Sequence, residues 1–426
     1  MKISFHTLGC KLNFAETSAI ARQLLEDGHT KAGKGEKADL CIINTCSVTD
    51  AADHKDRQAI NRIHRENPDA IIVVTGCYAQ LQPEHIAHIE GVDYVLGQND
   101  KFHLTALVRH LEEQASLPQV QWTPMQQLQD YHPSYSKDDR TRCFLKIQDG
   151  CDYFCTYCTI PYARGRSRNA SIEQTMTQVR HALSEGNREI ILTGVNIGDF
   201  GKSTSETFFD LLQHIDDLDG LFRVRISSIE PNLLSDDIID FVAYSRHFAP
   251  HFHIPLQSGS NQVLEIMHRR YTRELFQERV EHIKAVMPDA FIGVDCMVGV
   301  RGETEDCFAD YYQFVEALPV SQLHVFTYSE REGTRMLRMP LHVVEQKERK
   351  RRSDIMHRLS EQKLEAFYQS QKGTTHTVLW ESKREGTLMS GFTENYVRVF
   401  RDYDKNRINT FETIEVGSLD HNAVSR

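Results

Sequence analysis

The 426-residue chain has no continuous apolar run of the roughly 18 residues that a membrane-spanning helix needs. Its first residues, 1–6, begin a strand-like pattern and lack the successive regions of a secretory signal peptide. A surplus of positive charge is also missing, because the net charge is −11, and this disfavours a protein that coats nucleic acid without specificity. These absences predict a cytoplasmic protein that is not bound to a membrane.

Ten cysteines are spread through this chain, which has no export signal, so we expect reduced thiols with metal-binding or catalytic roles. Three of them, Cys151, Cys155 and Cys158, have C-x3-C-x2-C spacing just after an apolar run. A [4Fe–4S] cluster usually takes four thiolates, so three close ligands leave one iron open to another molecule. The alternatives are a zinc knuckle or buried thiols, but zinc sites favour C-x2-C pairs with a second pair or histidines, and none follows closely.

Three segments near the N-terminus have the apolar composition of buried strands, and each ends in a cysteine. They cover 3–10, 38–46 and 70–77, and helix-like stretches at 16–26 and 51–66 separate them. This β-α-β-α-β order predicts an open parallel α/β sheet with right-handed crossovers, in which all three strands point the same way.

The cysteines that end these strands are Cys10, Cys46 and Cys77. Parallel strands end at one edge of a sheet, where open α/β folds bind ligands, so we expect the three thiols to converge. Converging thiols indicate a second cluster. The alternative is packing, since cysteine is commonly buried, and packing is our interpretation for the remaining four. These are Cys41, Cys143, Cys296 and Cys307.

A polar stretch rich in Gln, Asp and Pro predicts a linker over 116–140. Beyond it, six strand candidates alternate with helices, which predicts a partial (βα)6 barrel over 141–370 that ends in a long helix from about 343. Active residues in parallel barrels lie at the C-terminal strand ends, and Cys151 follows the first strand directly. The strand candidates are 142–148, 189–193, 223–228, 251–256, 291–298 and 322–327.

The segment 150–158 resembles the signature of the radical S-adenosylmethionine (SAM) enzymes, in which the open iron of a [4Fe–4S] cluster binds SAM. The aromatic Tyr157 before the last cysteine also fits, and 159–168 is similar to the methylthiotransferase branch of that superfamily. The resemblance implies that a cluster on Cys151, Cys155 and Cys158 cleaves SAM reductively. It also implies an electron donor such as flavodoxin or ferredoxin.

Polar and glycine-rich segments follow the later barrel strands and predict a ring of groups over the barrel mouth that contacts SAM. Glycine lets backbone approach the ligand, and carboxylate or amide groups hydrogen-bond its ribose or amino-acid part. Each of these residues has an ordinary turn role as its alternative. The predicted SAM-binding residues are Tyr157, Gly194, Asn196, Ser228, Glu230 and Gln257.

Residues 371–426 alternate apolar and polar side chains in two stretches and predict a small β-barrel, similar to the RNA-binding TRAM module. A piece of this size has a marginal core, so it should pack on the rest of the chain. A basic run precedes it at 347–352, for which the alternative is the solvated face of a long helix. Its candidate RNA contacts are Arg349, Lys350, Arg351 and Arg352.

Over nearly its whole length the chain therefore resembles a methylthiotransferase, with an N-terminal α/β domain (1–115), the linker, the barrel (141–370) and a TRAM-like domain (371–426). The resemblance implies that a second [4Fe–4S] cluster, on Cys10, Cys46 and Cys77, carries the sulfur, and that a second SAM supplies the methyl group. It leaves the source of the sulfur open.

Within the family, 9–13 and 44–49 most resemble the enzymes that act at C2 of N6-threonylcarbamoyladenosine (t6A) beside the anticodon of tRNA. Relatives that act on isopentenyladenosine usually have Gln and Met after the first cysteine, and those that act on a ribosomal-protein aspartate have Pro and Lys. These two substrates are the alternatives within the enzyme class. Outside it, the alternatives are an iron–sulfur electron carrier and an RNA-binding module.

A pocket for t6A should contain a cation for the threonyl carboxylate, and Arg269, Arg270 and Arg331 are the candidates. Two positions depart from the family pattern, because Arg301 and Glu332 stand where proline is usual. Proline fixes φ, so these loops are expected to be more flexible or differently shaped.

Overall fold

The computed structural model describes residues 1–113, 118–137 and 141–417. Parts of three predicted segments lie outside these residues: 114–115 of the N-terminal domain, 116–117 and 138–140 of the linker, and 418–426 of the C-terminal domain. Among the described helices, none combines the length and apolar character that crossing a membrane requires.

The N-terminal part is a six-stranded parallel sheet in the order β2-β1-β3-β4-β5-β6. Its strands are β1 (Lys2–Thr7), β2 (Thr30–Lys31), β3 (Leu40–Thr45), β4 (Ile71–Gly76), β5 (Tyr94–Leu96) and β6 (Val120–Gln121). Its helices are α1 (Lys11–Glu26), α2 (Asp50–Glu66), α3 (Cys77–Leu81), α4 (Pro83–Ala87) and α5 (Leu104–Glu112). The three predicted strands form its centre, whereas β2, β5 and β6 are too short to show a period in the sequence.

The side chains of strand β3 show that this sheet is buried on both faces. All six of its residues are buried, and successive side chains point to opposite sides. Cys41 and Ile43 pack into one apolar cluster, while Leu40 and Ile42 pack into another on the opposite face. A continuous apolar strand of this kind is typical of a parallel sheet covered by helices on both sides.

The central part is a partial barrel whose six parallel strands run from β8 to β13 in two hydrogen-bonded groups. A parallel bridge between Ser228 and His253 joins the groups, and β7 lies antiparallel on β8. The strands are β7 (Ser134–Tyr135), β8 (Cys143–Lys146), β9 (Glu189–Thr193), β10 (Arg223–Ile226), β11 (His251–Gln257), β12 (Phe291–Val298) and β13 (Gln322–Thr327). The helices are α6 (Ile160–Arg164), α7 (Ile172–Ser184), α8 (Phe208–Asp216), α9 (Asp236–Tyr244), α10 (Asn261–Ile266), α11 (Arg273–Val286), α12 (Glu305–Ala317) and α13 (Gln346–Ser370).

The C-terminal part is a curled antiparallel sheet in the order β16-β15-β14-β17, a half-barrel of the TRAM-like type. Its strands are β14 (Thr375–Glu385), β15 (Leu388–Thr393), β16 (Arg398–Asp402) and β17 (Phe411–Glu415). The fully buried Trp380 shares an apolar cluster with Phe291 of β12 and Phe367 of α13. The small sheet thus completes its core on the barrel, and the predicted fold class is confirmed.

Helix α1 of the N-terminal part packs against β7 and β8 of the barrel. The Phe14 and Phe144 rings lie 6.4 Å apart, and Ala15, Phe144 and Ile191 form a small buried cluster. This contact brings the start of α1 to the barrel strands, and Cys10 immediately precedes it.

Candidate functional site

The loop after β8 carries Cys151, Cys155 and Cys158, which we call the barrel triad; none of the three is in a disulfide. The backbone N–H groups of Tyr153 and Ile160 lie 3.4 Å from the Sγ atoms of Cys151 and Cys158. Such donors stabilise negative charge on sulfur, which a metal-bound thiolate carries. The loop therefore presents three free thiols with local support for their ionised form.

The Arg269 side chain contacts one cysteine of this triad. Its Nη1 atom lies 3.1 Å from Cys155 Sγ, its Nε atom lies 3.1 Å from Tyr271 Oη, and its other terminal nitrogen pairs with Glu230. Burial raises the pKa of Cys151 to about 12, and it also raises the pKa of Cys155, where the Arg269 charge opposes it. Burial thus disfavours the free thiolates, and a bound metal would displace the thiol protons.

Cys10, Cys46 and Cys77, which we call the sheet-edge triad, lie where β1, β3 and β4 end. Cys10 is the residue before α1, and Cys77 begins α3 directly after β4. Gly9 has φ +96°, and a Cβ there would lie 2.9 Å from Cys46 Sγ, so only glycine fits this approach. Gln98 donates to Cys77 Sγ at 3.3 Å.

Burial raises the pKa of Cys46 to about 12, and the charges of Cys77 and Cys10 add to this effect. Burial likewise raises the pKa of Cys77, with Cys10 again adding to it. The three thiols are thus close enough to influence one another electrostatically.

Across 1–113, 118–137 and 141–417, no three His, Cys, Asp or Glu side chains are grouped as a single metal ion requires. A single zinc needs its ligands to meet at one point, whereas each iron of a cluster takes its own cysteine. Two sets of free, mutually close thiols with no histidine or carboxylate partner fit the donor chemistry of iron–sulfur clusters.

A buried group of charges lies between the two triads, centred on Glu16 of α1. The Glu16 carboxylate lies 2.6 Å from Lys101 Nζ, 2.9 Å from Lys146 Nζ and 3.0 Å from Arg164 Nη1. All four side chains are at most 1% exposed. Three cations hold the pKa of Glu16 far below its usual range, although burial opposes this. Sequence reasoning missed this group, because isolated charged residues carry no signal of their partners.

Arg164 connects this group to both triads. It follows the barrel triad in sequence and donates to Asp149 Oδ1 at 3.0 Å and to Asn13 Oδ1 at 2.6 Å. Asn13 in turn donates to the carbonyls of Leu8 at 2.8 Å and Thr45 at 2.9 Å. Those carbonyls belong to the segments that lead into Cys10 and Cys46, so one guanidinium ties the two triads together.

A cavity of about 450 Å³ opens between the sheet-edge triad and the barrel. Cys10 and Lys11 line it on one side, and Gly194, Ser228 and His253 line it on the other. Its volume lies within the range of small-molecule sites. A molecule bound there would touch the N-terminal part, the barrel strands and Tyr396 of the C-terminal part, whereas no cysteine of the barrel triad lines the cavity.

The predicted SAM-binding residues have different surroundings. Gly194 and Ser228 line the cavity, whereas the Glu230 carboxylate is paired with Arg269. Asn196 is buried, and its Oδ1 atom has no partner. Gln257 ends β11 with φ +64° and presents its carbonyl to Tyr311 Oη at 3.3 Å. Tyr157 packs against a separate apolar cluster that includes Met267 and Val300.

Gln148 organises the barrel mouth and was not among the predicted site residues. Its Oε1 atom accepts from the N–H groups of Val195 and Asn196, each at 2.9 Å. Its Nε2 atom donates to the Gly150 carbonyl at 2.8 Å and to Ser167 Oγ at 2.9 Å. The sequence signal that could have identified Gln148 is a polar residue at the end of an apolar strand.

The basic run is not the free patch that its sequence suggests. Arg349 and Arg352 are only 6% and 3% exposed. Arg349 donates to backbone carbonyls, and Arg352 lies 2.7 Å from Glu303. The prediction that these two arginines contact RNA is therefore corrected, because internal acceptors already bind them. Lys350 and Arg351 are 74% and 45% exposed, though each is paired with a carboxylate.

The three arginines considered for the t6A carboxylate are also engaged. Arg269 serves the barrel triad, and Arg270 donates to a backbone carbonyl at 2.7 Å. Arg331 is buried and lies 2.6 Å from Asp53 and 2.7 Å from Ser47 Oγ. It therefore joins the loop after β13 to the segment that follows Cys46.

Of the two departures from proline, Arg301 has a structural role. It lies 2.9 Å from Glu330 and so links the loop after β12 to the loop after β13, while Glu332 is exposed. The loop containing Arg301 is thus held by an ion pair where proline would have restricted the backbone.

Comparison with protein families gives two matches. The model described as uncharacterized protein family UPF0004 matches residues 2–97, and the radical SAM superfamily model matches residues 145–315. Among solved structures, radical SAM methyltransferase TsrM from Kitasatospora setae is similar, with a TM-score of 0.58 and 16% identity. The match covers 76% of this chain and 73% of that one, and it shows a shared fold.

Comparison with curated proteins finds relatives over most of the chain. Threonylcarbamoyladenosine tRNA methylthiotransferase MtaB of Bacillus subtilis is 38% identical over 93% of this chain and 89% of its own length. The tRNA-2-methylthio-N(6)-dimethylallyladenosine synthase of Carboxydothermus hydrogenoformans is 33% identical over 91% of this chain and 90% of its own length.

Proposed function

The chain belongs to the radical SAM tRNA methylthiotransferase family, and from this premise we propose that it inserts a methylthio group at C2 of t6A beside the anticodon of tRNA. In this proposal, residues 1–115 hold the sulfur-donating site, 141–370 hold the SAM site, and 371–426 help to bind tRNA. Relatives named for t6A support the choice of nucleoside.

The observation that carries the proposal is the cavity of about 450 Å³ that lies between Cys10 and the barrel strands. Radical abstraction of hydrogen and delivery of sulfur must reach the same carbon atom, so their two sites must open onto one space. Cys10 of the sheet-edge triad and Gly194 and Ser228 of the barrel mouth line that space together. An electron carrier has no need of such a cavity.

The barrel triad would hold the [4Fe–4S] cluster that binds SAM, and we propose that the sheet-edge triad would hold a second one. When bound, the first cluster and SAM supply the radical chemistry, and the second cluster supplies the sulfur. The chain itself contributes position and charge. Arg269 fixes Cys155, Gln148 fixes the loops of the mouth, and Arg164 ties the two triads together. We also propose flavodoxin or ferredoxin as the electron donor.

Two surfaces support tRNA binding. Lys350 and Arg351 are the exposed members of the basic run. A larger groove of about 1140 Å³ lies along α2, and Lys55, Arg62 and Arg65 line it together with Leu8, two residues before Cys10. Cationic side chains on such surfaces suit the phosphates of the tRNA backbone.

The test is activity on three substrates, assayed side by side with reconstituted protein under reducing conditions. These are tRNA carrying t6A, tRNA carrying isopentenyladenosine, and a ribosomal-protein peptide. We expect methylthiolation of the first, because an adenine in a single-stranded loop can be unstacked into the cavity. Preference for isopentenyladenosine tRNA would favour the second candidate, which the Carboxydothermus relative supports. Mass spectrometry of tRNA nucleosides from a deletion strain gives the in vivo answer.

A further inference from the structure

The cavity beside Cys10 contains a lysine whose side chain has no hydrogen-bond or ion-pair partner among the described residues. Lys11 lines it, and within the part of the chain that the structure describes, Lys11 makes no hydrogen bond or ion pair. Its electrostatic neighbours are Tyr396, which lies between β15 and β16 of the C-terminal sheet, and the charged side chains of Arg142, Asp295 and Arg225. The Asp295 carboxylate attracts the Lys11 ammonium without forming an ion pair, and the two arginines repel it.

The other charges around this cavity already have partners. Arg142 lies 2.7 Å from Glu381, and Asp295 lies 2.7 Å from His253. Arg225 lies 2.9 Å from Glu189. Lys11 is thus the cation of this group that has no ion-pair partner among the described residues. A partly buried cation without a direct partner favours an anionic ligand.

The position of Lys11 is set by the fold. It is the first residue of α1, and Cys10 precedes it directly. Leu12 is buried, and Phe14 packs on Phe144 of β8. Because Phe14 packs on a barrel strand, the start of α1 is held against the barrel, with Cys10 and Lys11 side by side at the cavity.

Hydroxyl groups accompany the ammonium. Thr193 and Ser228 line the same cavity, and Thr193 Oγ1 is buried without a hydrogen-bond partner. A buried hydroxyl without a partner calls for a polar ligand atom. The cavity therefore offers one cation and hydroxyls, which together suit a ligand with a carboxylate and further polar atoms.

We propose that Lys11 binds the carboxylate of the threonylcarbamoyl group and so selects adenosines whose N6 substituent carries a carboxylate. This inference rests on the proposed function. In adenine, C2 and C6 flank the same ring nitrogen, N1, so the N6 substituent lies on the side of the ring where C2 reacts. Lys11 is next to Cys10 in sequence, so the group that binds the carboxylate lies beside the site that delivers sulfur to C2.

The experiment pairs a protein change with a substrate change. Anticodon stem-loop RNA is prepared with t6A and with the matching carboxamide, which has the same shape but no charge. Wild type should turn over the t6A substrate about 10- to 100-fold more efficiently than the carboxamide, the usual effect of a charged hydrogen bond. Lys11→Met should lose this preference and Lys11→Arg should keep most of it. The matched control is Lys34→Met, an exposed lysine in the loop before β3, which should behave as wild type.

Binding of the two stem-loops to each full-length protein, measured by fluorescence anisotropy, should show the same pattern without turnover. Equal preference in wild type and Lys11→Met would overturn the inference while leaving the proposed function standing. Loss of SAM cleavage without RNA, or loss of iron, in Lys11→Met would assign the lysine to the cofactors and also overturn it. A wild type inactive on t6A RNA would instead refute the proposed function.

Discussion

Glu16 and Arg164 form a buried ion pair, with Oε1 and Nη1 3.0 Å apart and 148 positions between them in sequence. Glu16 lies on α1 of the N-terminal sheet, and Arg164 ends the short helix after the barrel triad. The pair therefore couples the two regions that the proposed chemistry requires to stay in register. The pair therefore contributes to the contact between the N-terminal part and the barrel as well as to the stability of each part.

Removing one partner of this pair should be strongly destabilising. In Glu16→Gln, the buried Lys101 loses its carboxylate partner, and Lys146 and Arg164 keep only Asp149, so we expect the free energy of unfolding to fall by about 3–5 kcal/mol. Urea denaturation followed by circular dichroism measures the loss. The control is Arg166→Gln, since Arg166 is 69% exposed and 3.5 Å from Asp152, and we expect a change of about 1 kcal/mol or less. Equal effects of the two changes would contradict this role for Glu16.

Glu189 anchors the C-terminal sheet and should make stability depend on pH. It accepts from Arg223 and Arg225, whose other nitrogens donate to backbone carbonyls at Thr377 and Thr393. These arginines lower the pKa of Glu189 from 4.5 to about 2, against the effect of burial. Because the folded state binds this proton less readily, its contribution is complete above pH 4.5 and is lost as the pH falls towards 2.

The corresponding measurement compares wild type with Glu189→Gln in urea at several pH values. The stability difference should be largest at pH 6 to 7 and should shrink by on the order of 3 kcal/mol towards pH 2, since only wild type titrates there. A difference that stays constant over this range would show that the carboxylate charge contributes nothing to the interface.

The two triads should be separable by mutation. Anaerobic reconstitution of wild type is expected to give about eight irons per chain. Replacing the barrel triad with alanine should leave about four irons and abolish reductive SAM cleavage, because the open iron is lost. Replacing the sheet-edge triad should also leave about four irons but spare cleavage and remove sulfur transfer. Cys143→Ala, a buried packing position in β8, serves as the control and should keep every iron. Full iron and product after loss of the sheet-edge triad would rule out the second cluster.

The two candidate RNA surfaces predict different binding defects. Charge reversal of Lys55, Arg62 and Arg65 should weaken tRNA binding and reduce its salt dependence, as loss of phosphate contacts does. Reversal of Lys350 and Arg351 tests the exposed part of the basic run in the same assay. Arg349→Gln should instead lower stability, because its guanidinium is buried against backbone carbonyls. Unchanged tRNA affinity in both reversal variants would exclude both surfaces.

The sequence by itself determined the features that depend on short-range spacing and strand order. The C-x3-C-x2-C segment forms one loop, and the prediction that it binds a metal cluster follows from the eight residues 151–158 alone. The convergence of Cys10, Cys46 and Cys77 follows from a general rule, since parallel strands must end at the same edge of a sheet. Both depend on backbone geometry that every chain with this pattern shares.

Only the tertiary structure decided which charged residues serve the site. The basic run at 347–352 looked continuous, yet Arg349 and Arg352 turn inward to internal acceptors while Lys350 remains exposed. Lys11 looked like an ordinary residue at the start of a helix, yet it lines the cavity and has no ion-pair partner in the described part of the chain. A charge has no preferred partner in sequence, because its interaction energy depends on distances and burial that exist only after the chain has folded.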